Sequence, residues 1–227
     1  MNQFSRTEAL IGIQAQEKLK KSKIAVFGLG GVGGHATEAL ARAGIGHIVL
    51  VDYDTYDITN INRQIGALHS TMGKYKVDVM KERILDINPS IIVETYKSTE
   101  DETKIIDSTF TYVIDAIDTM KNKIKLIEKC NNLNVPIISI AGTGNKLDAT
   151  KFEVEDIYKT SVCPVCKILR KELKSKNINK LKVVYSKEMP KKSLIEDQVL
   201  GSISYVPSVA GLIAVGEVVK YIISIWN

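Results

Sequence analysis

Three glycines that could bind a phosphate stand between an apolar, strand-forming run at 24–27 and a helical pattern. Gly28, Gly30 and Gly33 form the arrangement G-x-G-x-x-G, which nucleotide-binding folds place between a strand and a helix. Glycine lets the backbone approach a phosphate with no Cβ in the way. The helix that follows presents unpaired N–H groups and a positive dipole end to the anion. The spacing predicts a nucleotide site, although such glycines can also serve only helix–strand packing.

An acidic residue at the end of the second apolar run supports the nucleotide interpretation. Asp52 follows Gly33 by 19 residues and comes directly after the run at 47–51. A carboxylate at that place can accept hydrogen bonds from ribose hydroxyls. These two motifs alone leave the identity of the nucleotide open.

Four polar residues further along the chain favour ATP over a nicotinamide dinucleotide or a regulatory nucleotide. Arg63 and Lys76 can neutralise a triphosphate, and Asn60 can donate hydrogen bonds to it. Asp118, at the exit of an apolar run, can hold Mg²⁺, which prefers carboxylate and phosphate oxygens. Each residue alone also fits an ordinary polar surface. For Asp118, a place at a helix N-terminus is a further alternative, because a carboxylate there favours the helix dipole.

Alternating strand and helix patterns position these residues along the chain. The spacing of apolar residues predicts strands, with their exits, at 24–27, 47–51, 91–96, 112–118, 135–140, 152–157 and 181–185. It predicts helices at 7–20, 35–43, 74–87, 101–108, 119–132, 164–174 and 206–225. We therefore expect an α/β fold with a Rossmann-like, doubly wound, mostly parallel sheet. Antiparallel strands are expected to join that sheet in the C-terminal third.

Length and composition are those of one globular domain. The 227 residues predict a single domain, with a nucleotide-binding core at 1–145 and a substrate-side extension and C-terminal helix at 146–227. No apolar run reaches about 18 residues, and the first residues lack the apolar core of a signal peptide. We therefore expect a cytoplasmic protein with no membrane partner. The three cysteines do not indicate a disulfide framework.

The combined motif resembles the adenylation site of the ubiquitin-activating-enzyme-like (ThiF) superfamily, which includes the adenylyltransferases of thiamine and molybdopterin biosynthesis. The matching residues are Gly28, Gly30, Gly33, Asp52, Asn60, Asn62, Arg63, Gln64, Lys76 and Asp118. The resemblance implies that the glycine loop, Gly31 included, binds ATP and that Asp52 binds ribose. It implies that Asn60, Arg63 and Lys76 contact phosphates and that Asp118 holds Mg²⁺. Arg6 resembles an arginine that the partner subunit of a homodimer extends into the site.

Within that superfamily the chain is similar to the tRNA threonylcarbamoyladenosine dehydratases. The similar segments are 6–12, 38–46, 59–64, 184–190 and 201–207. The resemblance implies ATP-dependent closure of the threonylcarbamoyl group of a modified adenosine beside the tRNA anticodon. The substrate carboxylate would be adenylated and then attacked by a nitrogen of the same substituent. A homodimer is implied too, whereas a bound Na⁺ or K⁺ and a sulfur-relay protein partner stay open.

The cysteines bear on an alternative function, activation of the C-terminal glycine of a ubiquitin-like sulfur-carrier protein. Enzymes of that kind commonly hold zinc with two C-x-x-C pairs. Here only Cys163 and Cys166 form such a pair, and the region 201–205 has no cysteine. Two thiolates cannot complete a tetrahedral site within one chain, although two subunits could share one. Outside a thioredoxin-like context the pair does not predict a redox role, and Cys130 is expected in the core.

Positive charge is concentrated in one segment, 167–192, which we call the basic segment. It contains ten lysines or arginines against two glutamates. A clustered basic face can attract a polyanion such as tRNA. A solvated lysine-rich surface explains the same composition equally well.

Overall fold

One seven-stranded sheet runs through the part of the chain that the computed structural model describes, residues 1–97, 102–195 and 199–224. The strands are β1 (Lys23–Phe27), β2 (His47–Val51), β3 (Ile92–Tyr96), β4 (Tyr112–Asp115), β5 (Ile137–Ile140), β6 (Phe152–Asp156) and β7 (Lys182–Ser186). Their order across the sheet is β3-β2-β1-β4-β5-β7-β6. The expectation of a doubly wound α/β fold is confirmed.

Seven α-helices connect and cover the strands within the described residues. They are α1 (Ser5–Ile11), α2 (Ile13–Lys21), α3 (Gly33–Ala43), α4 (Lys76–Ile87), α5 (Met120–Leu133), α6 (Pro164–Ser175) and α7 (Tyr205–Ser224). Short 3₁₀ turns lie at Ile58–Asn60, His69–Thr71, Glu102–Ile105, Ala149–Lys151 and Ile157–Lys159. The predicted pattern of alternating elements is therefore present, with boundaries shifted by a few residues.

The middle of the sheet contains the point at which the chain changes direction across it. β1 pairs in parallel with β2 on one side and with β4 on the other. The chain leaves β1 through α3 to reach β2, and later returns to the opposite side of β1 as β4. Because the loops after β1 and β4 diverge to opposite faces, a crevice opens beyond the carboxyl ends of these strands. That crevice is where open α/β sheets bind ligands.

Burial of the central strands explains their composition. β1 and β2 are each buried over four of five residues, and the whole of β4 is buried. A parallel strand covered by helices on both faces needs a nearly continuous apolar run rather than an alternating one. The runs at 24–27 and 47–51 meet this requirement, which is why they were recognisable in the sequence.

The two C-terminal strands extend the sheet beyond β5, one parallel and one antiparallel to its neighbour. β7 pairs in parallel with β5, and β6 then pairs antiparallel with β7 through five residues, from Phe152 with Ser186 to Asp156 with Lys182. The antiparallel strand expected in the last third of the chain is therefore confirmed, and it forms one edge of the sheet. An edge place suits its only partly buried side chains.

The C-terminal helix α7 packs on α3 beside the glycine loop. A Cβ on Gly211 would lie 2.4 Å from the carbonyl oxygen of Val32, so the absence of a side chain permits the close contact. By length and composition alone α7 could cross a membrane, which the apolar runs of the sequence did not suggest. Its buried residues, among them Val206, Ala210, Ala214 and Val218, belong to the largest core cluster. Packing in that core accounts for the helix's apolar character.

Three local predictions need comment. Thr119, the first residue of the helix predicted at 119–132, is the N-cap of α5, and its side chain makes no capping hydrogen bond. The helix predicted at 101–108 is only the 3₁₀ turn Glu102–Ile105, and Asp101 lies outside the described residues. The predicted end of the last helix, Ile225, also lies outside them.

Candidate nucleotide site

A cleft of about 410 Å³ opens at the carboxyl ends of β1, β2, β4 and β5. Its walls come from four loops that leave these strands, and from the segment that leads into α7. The lining residues include Gly28, Gly30, Gly31, Asp52, Asp54, Arg63, Gln64, Lys76, Asp118, Asn122, Lys123, Gly142, Gly144, Val165, Ser202 and Pro207. The structure thus brings together most of the residues predicted for nucleotide binding.

The glycines of the motif have different tasks. Gly28 has φ +83°, and a Cβ there would lie 2.7 Å from the carbonyl oxygen of Ala116. A Cβ on Gly33 would lie 1.7 Å from the carbonyl oxygen of Gly28, so Gly33 serves tight packing and does not line the cleft. Beside Gly30 the nearest atom to a Cβ is Nε2 of Gln64 at 3.8 Å. Both interpretations of the glycine motif therefore apply. Gly33 serves helix–strand packing, and Gly30 leaves space for a ligand beside the backbone.

Asp52 fastens the glycine loop to the end of β2. Its Oδ2 accepts a hydrogen bond from the backbone N–H of Leu29 at 2.6 Å, and its Oδ1 accepts one from Asp54 at 2.8 Å. The side chain is buried, and this burial raises the pKa of Asp52 against the opposing effect of Lys76 and the two backbone donors. The carboxylate fixes the shape of the loop and still borders the cleft, where ribose would lie.

Lys76, the first residue of α4, is shared between two carboxylates. Its Nζ lies 2.7 Å from Oδ2 of Asp54 and 3.9 Å from Oδ2 of Asp52. The lysine is only 6% exposed, so the opposite charges compensate for the burial of its ammonium group. Asp54 was not among the predicted site residues. The alternation Asp52–Tyr53–Asp54 at a strand exit was the signal, because residues two apart in extended backbone point the same way.

Arg63 and Gln64 line the cleft shortly after the turn Ile58–Asn60. Nη1 of Arg63 donates to the carbonyl oxygen of Thr59 at 2.8 Å and to Oδ1 of Asn62 at 2.9 Å. These bonds hold the guanidinium at the cleft and leave other N–H groups of the fork available for a phosphate.

The side chain of Gln64 has an unpaired acceptor that a bound nucleoside could satisfy. Its side chain is buried at the cleft, and Oε1 is one of the buried polar atoms that have no hydrogen-bond partner among the described residues. A buried acceptor left unpaired costs free energy, and a ligand hydroxyl or amino group in the cleft would satisfy it. Gln64 was among the residues that match the family motif, but nothing in its residue type alone marked it as part of the site.

Besides Gly33, two further predicted site residues, Asn60 and Arg6, do not line the cleft of a single chain. Oδ1 of Asn60 accepts the backbone N–H of Asp57 at 3.1 Å, so the side chain closes the capping turn beside Arg63. Asn60 thus supports the shape of that turn. Arg6 is exposed on α1 and does not line the cleft of its own chain.

Asp118 lies in the loop after β4, on the surface of the cleft. The hydroxyl of Thr119 donates to its Oδ1 at 3.2 Å. No group of three potential metal ligands occurs among residues 1–97, 102–195 and 199–224. A Mg²⁺ ion fits such a site, because it commonly takes one or two carboxylates, retains water and completes its shell with substrate phosphates.

Beneath Asp118, a buried polar network supports the floor of the cleft. Nζ of Lys123 donates to Oδ2 of Asp115 at 2.8 Å, to Oγ of Ser139 at 3.2 Å and to the carbonyl oxygen of Ile140 at 3.1 Å. Oδ1 of Asp115 accepts the backbone N–H of Ile117 at 3.1 Å, which orders the loop that carries Asp118. Lys123 was not among the predicted site residues, because a lysine on a predicted helix is usually exposed.

The basic segment begins at the cleft and is only partly neutralised. It starts at α6, whose residue Val165 lines the cleft. Three of its lysines form ion pairs, Lys176 with Glu128, Lys182 with Glu217 and Lys187 with Glu153. Six further lysines are exposed with no ion pair to the described residues: Lys167, Lys171, Lys174, Lys180, Lys191 and Lys192.

Cys130 lies in the core, as predicted. It is buried on α5, and this burial raises the pKa of its thiol to about 12. A thiol that stays protonated is a poor nucleophile. Cys130 also does not line the cleft.

Comparison with known proteins agrees with this geometry. A tRNA threonylcarbamoyladenosine dehydratase of Bacillus subtilis is 44% identical over 238 residues, covering 96% of this chain and 94% of the relative. The crystal structure of the Escherichia coli tRNA N6-threonylcarbamoyladenosine dehydratase in complex with ATP superimposes with a TM-score of 0.92 and 35% identity, over 99% of this chain and 95% of the other.

A relative with another activity matches a smaller part of the chain. A molybdopterin-synthase adenylyltransferase of Haemophilus influenzae is 37% identical over 131 residues, covering 57% of this chain and 54% of the relative. A sequence profile of the ThiF family, by contrast, matches residues 4–226. Because that match spans the glycine loop, the cleft and the C-terminal helix together, the chain belongs to the ThiF family.

Proposed function

We propose that this protein is an enzyme that uses ATP to dehydrate, and so cyclise, threonylcarbamoyladenosine in tRNA. The observation that carries the proposal is the cleft, which joins a glycine cradle to Arg63, Lys76 and Asp118. The whole-chain similarity to the Bacillus subtilis dehydratase supports the choice of substrate. The ATP complex of the Escherichia coli relative supports the choice of nucleotide.

In the first step, the carboxylate of the substrate attacks the α-phosphorus of ATP. A bond forms between a carboxylate oxygen and phosphorus, the bond to the bridging oxygen breaks, and pyrophosphate leaves with the electron pair. No general base is needed, since the carboxylate is already a nucleophile. Arg63 and Lys76 stabilise the negative charge on the phosphates, which is the main catalytic contribution in such transfers. Mg²⁺ held by Asp118 would add charge neutralisation when it is bound.

In the second step, a nitrogen of the same substituent attacks the activated carbonyl carbon. The new C–N bond closes the ring, AMP leaves with the carboxylate oxygen, and the nitrogen loses its proton. One water is thereby removed from the substrate at the expense of ATP. An intramolecular nucleophile has a high effective molarity, so no enzyme thioester is required. The location of Cys130 in the core agrees with this route.

The active enzyme in this proposal is a homodimer in the cytoplasm. Arg6 is exposed on α1 and does not line the cleft of its own chain. Its proposed role is therefore exerted in the cleft of the partner subunit, where it would contact the phosphates. The exposed lysines of the basic segment bind the tRNA backbone.

Activation of a sulfur-carrier protein is the weaker alternative. The chain has one C-x-x-C pair, and no cluster of three metal ligands occurs in its described ranges. Its similarity to the Haemophilus influenzae adenylyltransferase covers only 57% of the chain, against 96% for the Bacillus subtilis dehydratase.

The test is mass spectrometry of tRNA nucleosides after incubation of the protein with ATP, Mg²⁺ and tRNA that contains threonylcarbamoyladenosine. We expect the modified nucleoside to lose the mass of one water, with release of AMP and pyrophosphate. An Asp118→Asn variant serves as the inactive control. Unchanged nucleoside, together with ATP–pyrophosphate exchange that depends on a carrier protein ending in glycine, would reverse the assignment.

A further inference from the structure

Cys163 and Cys166 stand at the beginning of α6, a place that alters thiol chemistry. Cys163 is the N-cap of this helix, Pro164 is its first residue, and Cys166 lies within the first turn. A C-x-x-C pair at a helix N-terminus experiences the positive end of the helix dipole, which favours a thiolate. The sequence predicted the helix at 164–174 but no redox role, because the pair lacks a thioredoxin-like context.

The surroundings make the two thiols unequal. The thiol of Cys166 donates a hydrogen bond to Cys163, which lowers the pKa of Cys163. The same bond, together with burial, raises the pKa of Cys166. Lys146 is only 4% exposed and lies close enough to favour the Cys163 thiolate. One ready nucleophile beside one protonated thiol is the arrangement of a dithiol that forms a disulfide.

The backbone before the pair is strained. Val162 has φ +63°, a conformation that a β-branched residue rarely adopts. Strain of this kind persists only where the surrounding structure enforces it, and it often marks functional segments. Ser161 and Val162 are exposed, so the buried thiols lie beneath a single turn at the surface.

The pair is also joined to the proposed ATP cleft. Val165, between the two cysteines, lines the cleft. Its Cγ2 would lie 3.1 Å from a Cβ on Gly142, so the first turn of α6 packs closely on the cleft wall formed by Ala141 and Gly142. A covalent bond within this turn must shift its side chains, and the contact transmits the shift to the wall.

We propose that Cys163 and Cys166 are a redox site whose reversible disulfide alters the wall of the cleft at Ala141 and Gly142. The oxidant is hydrogen peroxide. The Cys163 thiolate attacks one peroxide oxygen, the O–O bond breaks, and the other oxygen leaves as hydroxide, which takes up a proton. Cys166 then attacks the resulting sulfenic acid, the S–S bond forms, and a second water leaves. A small dithiol restores both thiols by exchange.

The first measurement concerns the disulfide alone and does not involve ATP. The purified full-length chain is treated with hydrogen peroxide, alkylated and analysed by peptide mass spectrometry. We expect a Cys163–Cys166 disulfide that dithiothreitol reverses, while Cys130 stays reduced. Cys130→Ala should form the disulfide as the wild type does, and Cys166→Ala should instead stop at oxidised Cys163. If Cys163 and Cys130 resist peroxide equally, the pair is an inert buried one and the proposal is wrong.

The second measurement concerns the cleft wall and uses amide hydrogen exchange at residues 141–144. We expect exchange there to differ between oxidised and reduced wild type and to be insensitive to peroxide in the double variant Cys163→Ala/Cys166→Ala. An unchanged rate would refute the coupling. ATP affinity of the oxidised chain, expected to fall by about threefold or more, rests on the proposed function. If the reduced chain did not bind ATP, the proposed ATP-dependent function would be wrong. The disulfide and hydrogen-exchange measurements would still test the redox site.

Discussion

The ammonium group of Lys76 lies 2.7 Å from the carboxylate of Asp54, although both residues border the cleft proposed for a triphosphate. Asp54 therefore holds in place the cation that phosphates would attract. Its negative charge would also repel those phosphates.

Replacement of Lys76 and replacement of Asp54 should change the affinity for ATP in opposite directions. Lys76→Ala removes a buried charged donor and should weaken ATP binding by about tenfold or more. Asp54→Asn removes a competing anion but keeps a hydrogen-bond acceptor, so it should tighten ATP binding. Isothermal titration calorimetry with ATP and Mg²⁺ measures both. Equal weakening in the two variants would mean that Asp54 is needed to position Lys76.

Asp118→Ala should abolish turnover and leave the fold intact. The side chain is exposed, and within the described residues its hydrogen bond is with the neighbouring Thr119, so few native contacts are lost. Thr119→Ala is the matched control, because it removes that hydrogen bond and keeps the carboxylate. Thermal unfolding and nucleoside mass spectrometry on both variants decide the matter. If the melting temperature of Asp118→Ala fell strongly while its folded fraction stayed active, the role of Asp118 would instead be to stabilise the N-terminus of α5.

Arg6 provides a test of the proposed dimer. If Arg6 acts in the partner subunit's cleft, Arg6→Ala and Lys76→Ala should each be inactive alone. Mixed dimers should regain activity, because one of their two clefts then has both residues. Subunit exchange is verified separately by native mass spectrometry. Exchange without any recovered activity would argue that Arg6 does not act across the interface.

The unpaired lysines of the basic segment should control tRNA affinity. Replacing Lys171, Lys174 and Lys180 with Glu should weaken tRNA binding by orders of magnitude and flatten its salt dependence, because phosphate contacts release counterions. ATP binding should stay near the wild-type value. The matched control replaces three exposed lysines on other elements, Lys21, Lys104 and Lys125. Filter binding at several salt concentrations compares the variants. Similar losses in both would reflect net charge alone.

The network below the cleft should matter for stability. Lys123→Ala leaves the carboxylate of Asp115 buried without its cation, which typically costs about 3–5 kcal/mol. The double variant Asp115→Asn/Lys123→Met should be less destabilised than Lys123→Ala, since no buried charge remains. Urea unfolding measures both free energies. If the double variant were the less stable of the two, the charges themselves would be contributing net stability.

The sequence by itself determined the sheet, the glycine loop and the family. Buried parallel strands need continuous apolar runs, and a tight strand-to-helix turn needs glycine, so both requirements appear as local patterns. Gly28, Asp52 and Asp118 could be placed at strand exits for that reason. The same patterns correctly indicated an antiparallel addition in the last third of the chain.

Only the tertiary structure decided which polar groups meet. Asp54 pairs with Lys76 across 22 residues, and Lys123 reaches Ser139 across 16. The helix α6, whose N-cap is Cys163, places Val165 against Gly142 in the loop after β5. Such contacts depend on how separate strands and helices pack, whereas hydrophobic periodicity reports only the face that each element buries. Pairings between distant residues therefore leave no local pattern, and in this protein they set the charge and the shape of the cleft.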